Sequence, residues 1–328
     1  MSRHSASSRE SGAGTVEVSR LPGTGLIVEP PRRRWPSVLA FLVVLGLVIT
    51  GTVYGLSQRS DGAGIDPDST AQGTVDARST TSASNTAAAK PGFTVYDDFS
   101  GTAGDAVAND RWSHDVGRTG WGNNEKQDYT DSTENSSLDG EGNMVIKAMR
   151  NGDGYTSARV TTKDKFEFTY GRIEARIKMP AGAGLHPAFW MLGTDLDSVG
   201  WPLSGEIDIM ETLNQADQYH TGIHAPQPDS LTSQKVDAGG IPPEPLSENF
   251  HTYWVERSPG RVTTGIDGTT LATVTPDDLI GGDDYWVFDK PFFLLFNVAV
   301  AGDWPGPTDN STPFPATMTV DWVRYRAD

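Results

Sequence analysis

Glu206, Asp208 and Glu211 place three carboxylates inside the stretch from Ser204 to Thr212, with Ile207, Ile209 and Met210 between them. Acids and core formers alternate as on a half-buried strand, and the period breaks once. Glu206 and Asp208 share a face by the two-residue rule, whereas the next position on that face holds Met210. One extra residue, a β-bulge, returns Glu211 to the side of Glu206 and Asp208 and leaves Met210 to the core. Like charges on one surface repel, so a merely solvated strand gains nothing from this set. Acid–base chemistry gains much more. Two carboxyls about 5 to 5.5 Å apart can split a glycosidic bond with retention, one as nucleophile and the other as acid and then base. With a bulge the Glu206 and Glu211 backbones lie roughly 13 Å apart at about 3.3 Å per step, so the two long side chains must lean together. A third acid between them keeps the pair's protons unequally shared. A charged, exposed strand face is the alternative that this stretch alone leaves open.

Such a strand needs neighbours. Short alternating runs occur at Asn143 to Met149, Tyr155 to Thr162, Gly171 to Met179, Phe250 to Arg257, Arg261 to Ile266, Pro291 to Val300 and Ala316 to Arg326. Gly, Pro, Asn and Asp clusters separate them, and helical period is almost absent, which is the pattern of an antiparallel β-sandwich. Ile266-Asp267-Gly268-Thr269 reads as a tight hairpin turn, since Asp and Gly tolerate positive φ.

Composition divides the 328 residues before any of these runs. Residues 1–34 are polar and rich in arginine, with no sign of a core, and read as a disordered cytoplasmic tail. Residues 35–56, WPSVLAFLVVLGLVITGTVYGL, contain no charged side chain. At about 1.5 Å per residue they make roughly 33 Å of helix, enough to cross a bilayer. Arg32, Arg33 and Arg34 abut the N-terminal end, which by the positive-inside rule stays cytoplasmic and sends the remainder outside. The expectation is therefore a single-pass cell-membrane protein anchored in lipid through residues 35–56. A cleaved signal peptide, and so a secreted product, is the alternative. Residues 57–91, rich in Ser, Thr, Ala, Gly and Asp, read as a flexible linker, and 92–328 as one large β domain. With no cysteine, an exported domain must rely on its core rather than on disulfides. The net charge of −17 argues against nucleic acid or anionic lipid as a partner of the outer domain and suits a neutral polymer. Nothing in the sequence demands more than a monomer.

Taken with its flanks, GEIDIMET resembles glycoside hydrolase family 16, in its bacterial laminarinase-like branch. The resemblance runs from about Phe93 to Tyr325. It rests on ordered blocks: GWGNNEKQDYTD (120–131), YTSARVTT (155–162), YGRIEARIKMPAGAGLHPAFWML (170–192), GWPLSGEIDIMET (200–212), HTGIH (220–224), PFFLLFNVAVAGDWPG (291–306) and MTVDWVRY (318–325). It implies a jelly-roll of two antiparallel sheets with a concave cleft, and endo-acting, retaining hydrolysis of a β-glycan, foremost β-1,3-glucan. By motif position Glu206 is the nucleophile, Glu211 the general acid/base, Asp208 the assisting acid, and His224 a histidine beside them. The Met210 insertion matches the family's bulged subgroup of laminarinases, agarases and carrageenases. A β-galactanase or agarase, a wall-remodelling transglycosylase, and a non-catalytic glycan-binding domain of the same fold are the competing readings.

A pyranose offers C–H faces and a rim of hydroxyls, so its site needs flat apolar rings beside polar groups. Trp121, Trp190, Trp201 and Trp304 fall in the matching blocks and can supply the rings, with core packing as the alternative. Strand alternation lets Trp190 face the cleft while Phe189 faces the core. Asn124, Arg159 and Asn297 are candidates for hydroxyl contacts, unless they tie loops instead. Trp112, Trp254 and Trp322 read as core. The resemblance also implies a structural calcium, on the main-chain carbonyls of Asp98 and Gly142 and the carboxylate of Asp321, a set of oxygen donors that suits this ion. Two departures from the family pattern fall at the cleft. His186 stands where an aromatic residue is frequent, and Ala301-Gly302-Asp303-Trp304 replaces the frequent Gly-Gly before the late tryptophan.

Overall fold

The computed structural model describes residues 89–228 and 232–328. The tail expected at 1–34, the membrane helix at 35–56 and the linker as far as residue 88 lie outside the described residues. Among the described residues no helix is long and apolar enough to cross a membrane.

The regular elements from residue 94 onward are almost all strands. These begin with β1 (Thr94–Asp97), β2 (Ser113–Asp115), β3 (Gln127–Tyr129), β4 (Ser136–Leu138), β5 (Met144–Asn151) and β6 (Gly154–Ser157). There follow β7 (Arg159–Thr161), β8 (Gly171–Lys178), β9 (Leu185–Gly193), β10 (Glu206–Thr212), β11 (Tyr219–Pro226) and β12 (Ser233–Gly240). The last are β13 (His251–Ser258), β14 (Arg261–Ile266), β15 (Thr269–Val274), β16 (Phe292–Val300) and β17 (Ala316–Ala327). One sheet runs β12-β11-β10-β9-β16-β7-β2; the other runs β15-β14-β13-β8-β17-β5-β6-β3, with β1 on β17 and β4 on β5. This is the expected two-sheet, jelly-roll-like sandwich, with one correction. β3 pairs with β6 in parallel, so the second sheet is not antiparallel throughout.

A second correction concerns the run from Tyr155 to Thr162, which alternates as one strand but serves two. At fully buried Ala158 the chain leaves β6 in one sheet and enters β7 in the other. Period-2 patterning survives that transfer because both segments keep one face toward the same core.

The inner faces of the two sheets meet in one cluster. Ile173, Ala175 and Ile177 of β8 and Met144 and Ile146 of β5 face Phe189 and Met191 of β9 and Phe292, Leu294 and Phe296 of β16, all fully buried. Each large apolar side chain so buried contributes about 1.5 to 3 kcal/mol. Phe189 and Phe296, opposite one another in register, stack with ring centroids 4.6 Å apart. Trp112, Trp254 and Trp322 are buried, as expected of core residues. On the outer face of β8, Glu174 is buried beneath three cations: Lys90 at 2.9 Å, Arg172 at 2.7 Å and Arg324 at 2.6 Å.

β16 shows how one strand serves two surfaces. Phe292, Leu294, Phe296, Val298 and Val300 enter the main core. Phe293 and Leu295, on the opposite face, pack with Leu192 into a small apolar cluster under Trp190 and Leu196. Asn297 follows on that second face, where the apolar floor gives way to a polar cleft.

Candidate active site

β10 lies between β9 and β11, and its register slips where the sequence period breaks. Asp208 lies opposite Gly222 and Glu211 opposite His220, so three steps on β10 span two on β11. On the other side Asp208 faces Trp190 and Met210 faces Phe189. Ile207, Ile209 and Met210 are fully buried in the core, while Glu206, Asp208 and Glu211 line a cleft of about 610 Å³. The Thr221 hydroxyl donates to the Asp208 carbonyl at 2.8 Å beside the bulge. Gly205, at φ +70, starts the strand; a Cβ there would lie 2.8 Å from Val287, so the approach into β10 admits only glycine.

The carboxyls are held from different strands and loops. Trp201 Nε1–H donates to Glu206 Oε2 at 2.8 Å. His186 Nε2 lies 2.8 Å from Glu211 Oε1. Acid oxygens of Glu206 and Asp208 and a ring nitrogen of His224 fall within 4.8 Å of one another. His224 Nε2 stands 3.5 Å from Asp208 Oδ2, a long contact.

Burial and two neighbouring acids raise the Asp208 carboxyl well above its ordinary value, so it keeps a proton and donates it to Glu206. Burial, then the charge of Glu211, pushes Glu206 up to about 7; hydrogen bonds from Trp201 and Asp208 and the charge of Arg159 oppose that rise. Burial also pushes Glu211 up, but the His186 hydrogen bond, with the nearby Lys235 cation, outweighs it and lowers the carboxyl. His224 is lowered by burial and by Lys235, which favours the neutral ring. Two carboxyls flanking a third that retains its proton form an acid–base set able to work on one bond.

The structure also places the residues expected to bind sugar. Trp121, Trp190, Trp201 and Trp304 all line the cleft. Trp201 is 49% exposed and Trp304 39%, so both present open faces. Arg159 lies over the Trp121 and Trp190 rings, at 4.7 and 4.5 Å from their centroids, and pairs with Asp115 at 2.9 Å. Asn297 spends its amide on protein: Oδ1 accepts from Trp190 Nε1 at 2.7 Å, and Nδ2 donates to the Tyr129 hydroxyl at 3.1 Å. It orients the tryptophan rather than reaching outward. Asn124 does not line the cleft. Its Nδ2 donates to Asp303 Oδ2 at 2.7 Å, tying the loop before β3 to the loop after β16, and so it fixes the rim.

The sequence assigns no role to four residues that line the cleft. Lys235, opposite His224 on edge strand β12, stands with its Nζ 5.1 Å from the Trp304 ring centroid. Glu125, raised chiefly by burial, accepts from Gln127 at 2.5 Å and from the Tyr129 hydroxyl at 3.3 Å. Tyr129 supports Asn297, and His186 holds Glu211. Only His186 carried a signal, as a departure from a recurrent motif.

The positions marked for calcium lie away from this cleft. Asp98 follows β1, Gly142 precedes β5 at φ +90, and Asp321 is a buried residue of β17. Asp321 Oδ2 is paired with Arg176. No part of the reaction is assigned to an ion at these positions.

Residues 123–324 match the family described as Glycosyl hydrolases family 16. The beta-glucanase of Rhodothermus marinus is 36% identical over 229 residues, covering 66% of this chain and 79% of that protein. The laminarinase catalytic domain of Thermotoga maritima superposes with a TM-score of 0.62 at 37% identity, over 72% of this chain and 96% of that one. The endo-beta-1,3-glucanase of Pyrococcus furiosus gives 0.63 at 38% identity, over 70% and 92%.

Proposed function

Because the chain belongs to glycosyl hydrolase family 16, we propose that it hydrolyses a β-1,3-glucan of the laminarin type, within the chain and with retention at the anomeric carbon. The observation that carries this reading is the bulged strand, which brings Glu206, Asp208 and Glu211 to one wall of an aromatic-lined cleft. Glu206 attacks C1 while Glu211 gives its proton to the glycosidic oxygen, and the C1–O bond breaks. Water then gives a proton back to Glu211 and its oxygen displaces Glu206 from C1. The productive form carries its charge on Glu206 and its proton on Glu211. In the unliganded cleft Glu206 is raised and Glu211 lowered.

A screen of purified residues 92–328 on laminarin, lichenan, β-1,3-galactan, agarose and carrageenan tests the substrate. Oligosaccharides from laminarin, first seen by NMR as the β-anomer, are the expected result. Preference for a galactan moves the substrate to another member of the family, and chain lengthening identifies a transglycosylase. Binding without hydrolysis of any polymer overturns the enzymatic reading.

We also propose that residues 35–56 anchor the catalytic domain on the outer side of the cell membrane, a reading supported by the uncharged run and the arginines before it. Full-length protein should sediment with membranes and lose its catalytic domain to external protease. Release of a shortened product into the medium decides for a cleaved signal instead.

A further inference from the structure

The least explained polar side chain in the cleft is His186. It lies on β9, is 9% exposed, and holds Glu211 at 2.8 Å through Nε2, while its buried Nδ1 has no hydrogen-bond partner. Its ring meets Trp304 edge-on at 5.0 Å, and His220 meets the same indole at 4.9 Å. The backbone that carries it is fixed. Gly184 N–H donates to Asn214 Oδ1 at 2.7 Å, and Ala301 N–H donates to the Gly184 carbonyl at 2.6 Å. Gly184 is at φ +75, where a Cβ would come 2.5 Å from Thr308 N, so the start of β9 has one conformation.

We propose that His186 is a positioning residue for the acid/base Glu211: its Nε2–H holds Oε1, turns the other carboxyl oxygen toward the scissile bond, and stabilises the carboxylate left once the proton has moved to the leaving sugar. The inference rests on the reading of Glu211 as acid/base. An imidazole with its proton on Nε2 leaves Nδ1 as an acceptor, which costs less to bury unpaired than a second N–H. Other groups face Glu211 as well: Glu206 and Asp208 on its own strand, His220 and His224 on β11, and Lys235 on β12. Asp237 of β12 acts on His220 and His224, and Glu125 faces His186 from the loop before β3. Among these only His186 is in hydrogen-bond contact with Glu211, and that bond is the largest influence lowering the carboxyl.

The test compares wild type, His186→Gln and His186→Phe in the intact catalytic protein, by the pH dependence of kcat/KM on laminarin. Phe keeps a ring against Trp304 and removes the donor; Gln keeps an N–H and loses the ring. Loss of the donor raises the proton affinity of Glu211, so the basic limb of the Phe variant moves up by about one pH unit or more. Its kcat falls roughly 10- to 10²-fold, with KM little changed. The Gln variant shifts less and loses less. The reverse ranking, Phe near wild type and Gln impaired, means that packing on Trp304 is the whole role and overturns the proposal. So does an unmoved basic limb. Should Phe fail to fold, His186→Leu, which also removes the donor, is read in its place. Glu211→Ala is run in parallel: full activity on laminarin in that variant defeats the acid/base reading itself, whereas loss there with an unmoved limb in the His186 variants defeats only this inference.

Discussion

Replacing Glu206 by Gln lowers kcat/KM toward laminarin by roughly 10³-fold or more, with the thermal midpoint nearly unchanged. The amide keeps an acceptor for the Trp201 Nε1–H that reaches Glu206 at 2.8 Å, so the side chain stays in place while its nucleophilicity goes. No neighbour replaces it. Asp208 is 2% exposed, shorter by a methylene and committed to its own proton, and Glu211 is held to the other side by His186. Glu206→Ala adds a stereochemical readout. Azide entering the vacated space attacks an activated β-glycoside from the nucleophile's face, so the expected product is the α-glycosyl azide. Wild-type rates in either variant, or a β-azide from Glu206→Ala, remove Glu206 from the nucleophile's role.

That this residue could be picked from the sequence depends on one local irregularity. Met210 breaks a two-residue period, and the only backbone device that restores three acids to one face is an added residue, which the register of β10 against β9 and β11 contains. The walls around it were less legible. β9 reads as an apolar run interrupted only by His186 and Pro187, because its cleft face is partly covered as well; the proline is tolerated where the β10 ladder has ended at Ala188. β11 and β12 alternate, with Ile223 and Ala225 on the face opposite His220, Gly222 and His224 in β11 and Val236 on the face opposite Lys235 and Asp237 in β12, but so many small and polar residues leave only a weak apolar signal. Cross-strand neighbours such as Lys235 and His224 depend on pairing register, which no period within one segment reports. Glu125 sits in a loop, where period carries no information and burial arises only when β3, β7 and β9 close around it. Asn124 shows the same limit from the other side. It differs from Glu125 by one position, yet at φ +54 it turns to Asp303 and leaves the cleft to its neighbours.

Glu211→Ala separates the two chemical steps and gives the second large effect. A sugar leaving group departs as an alkoxide unless protonated, so without the acid kcat/KM on laminarin falls about 10²- to 10⁴-fold. A dinitrophenyl β-laminaribioside needs no such proton. Its first step should keep a rate near that of the wild type, and because no base activates water in the second, a glycosyl-enzyme accumulates behind a burst of phenolate. Azide then releases the sugar from the face opposite Glu206, giving the β-azide, the opposite anomer to that from Glu206→Ala. The pH profile follows from the same proton. One proton held by the Glu206–Asp208–Glu211 set beyond that on Asp208 has to be available to the leaving oxygen, and Glu206, raised to about 7, marks where that proton is lost. Wild-type kcat/KM on laminarin therefore falls as pH rises through roughly 7, whereas Glu211→Ala on the activated glycoside loses that basic limb. A basic limb that persists in Glu211→Ala on the activated substrate, or equal losses on both substrates, assigns the acid/base to another residue.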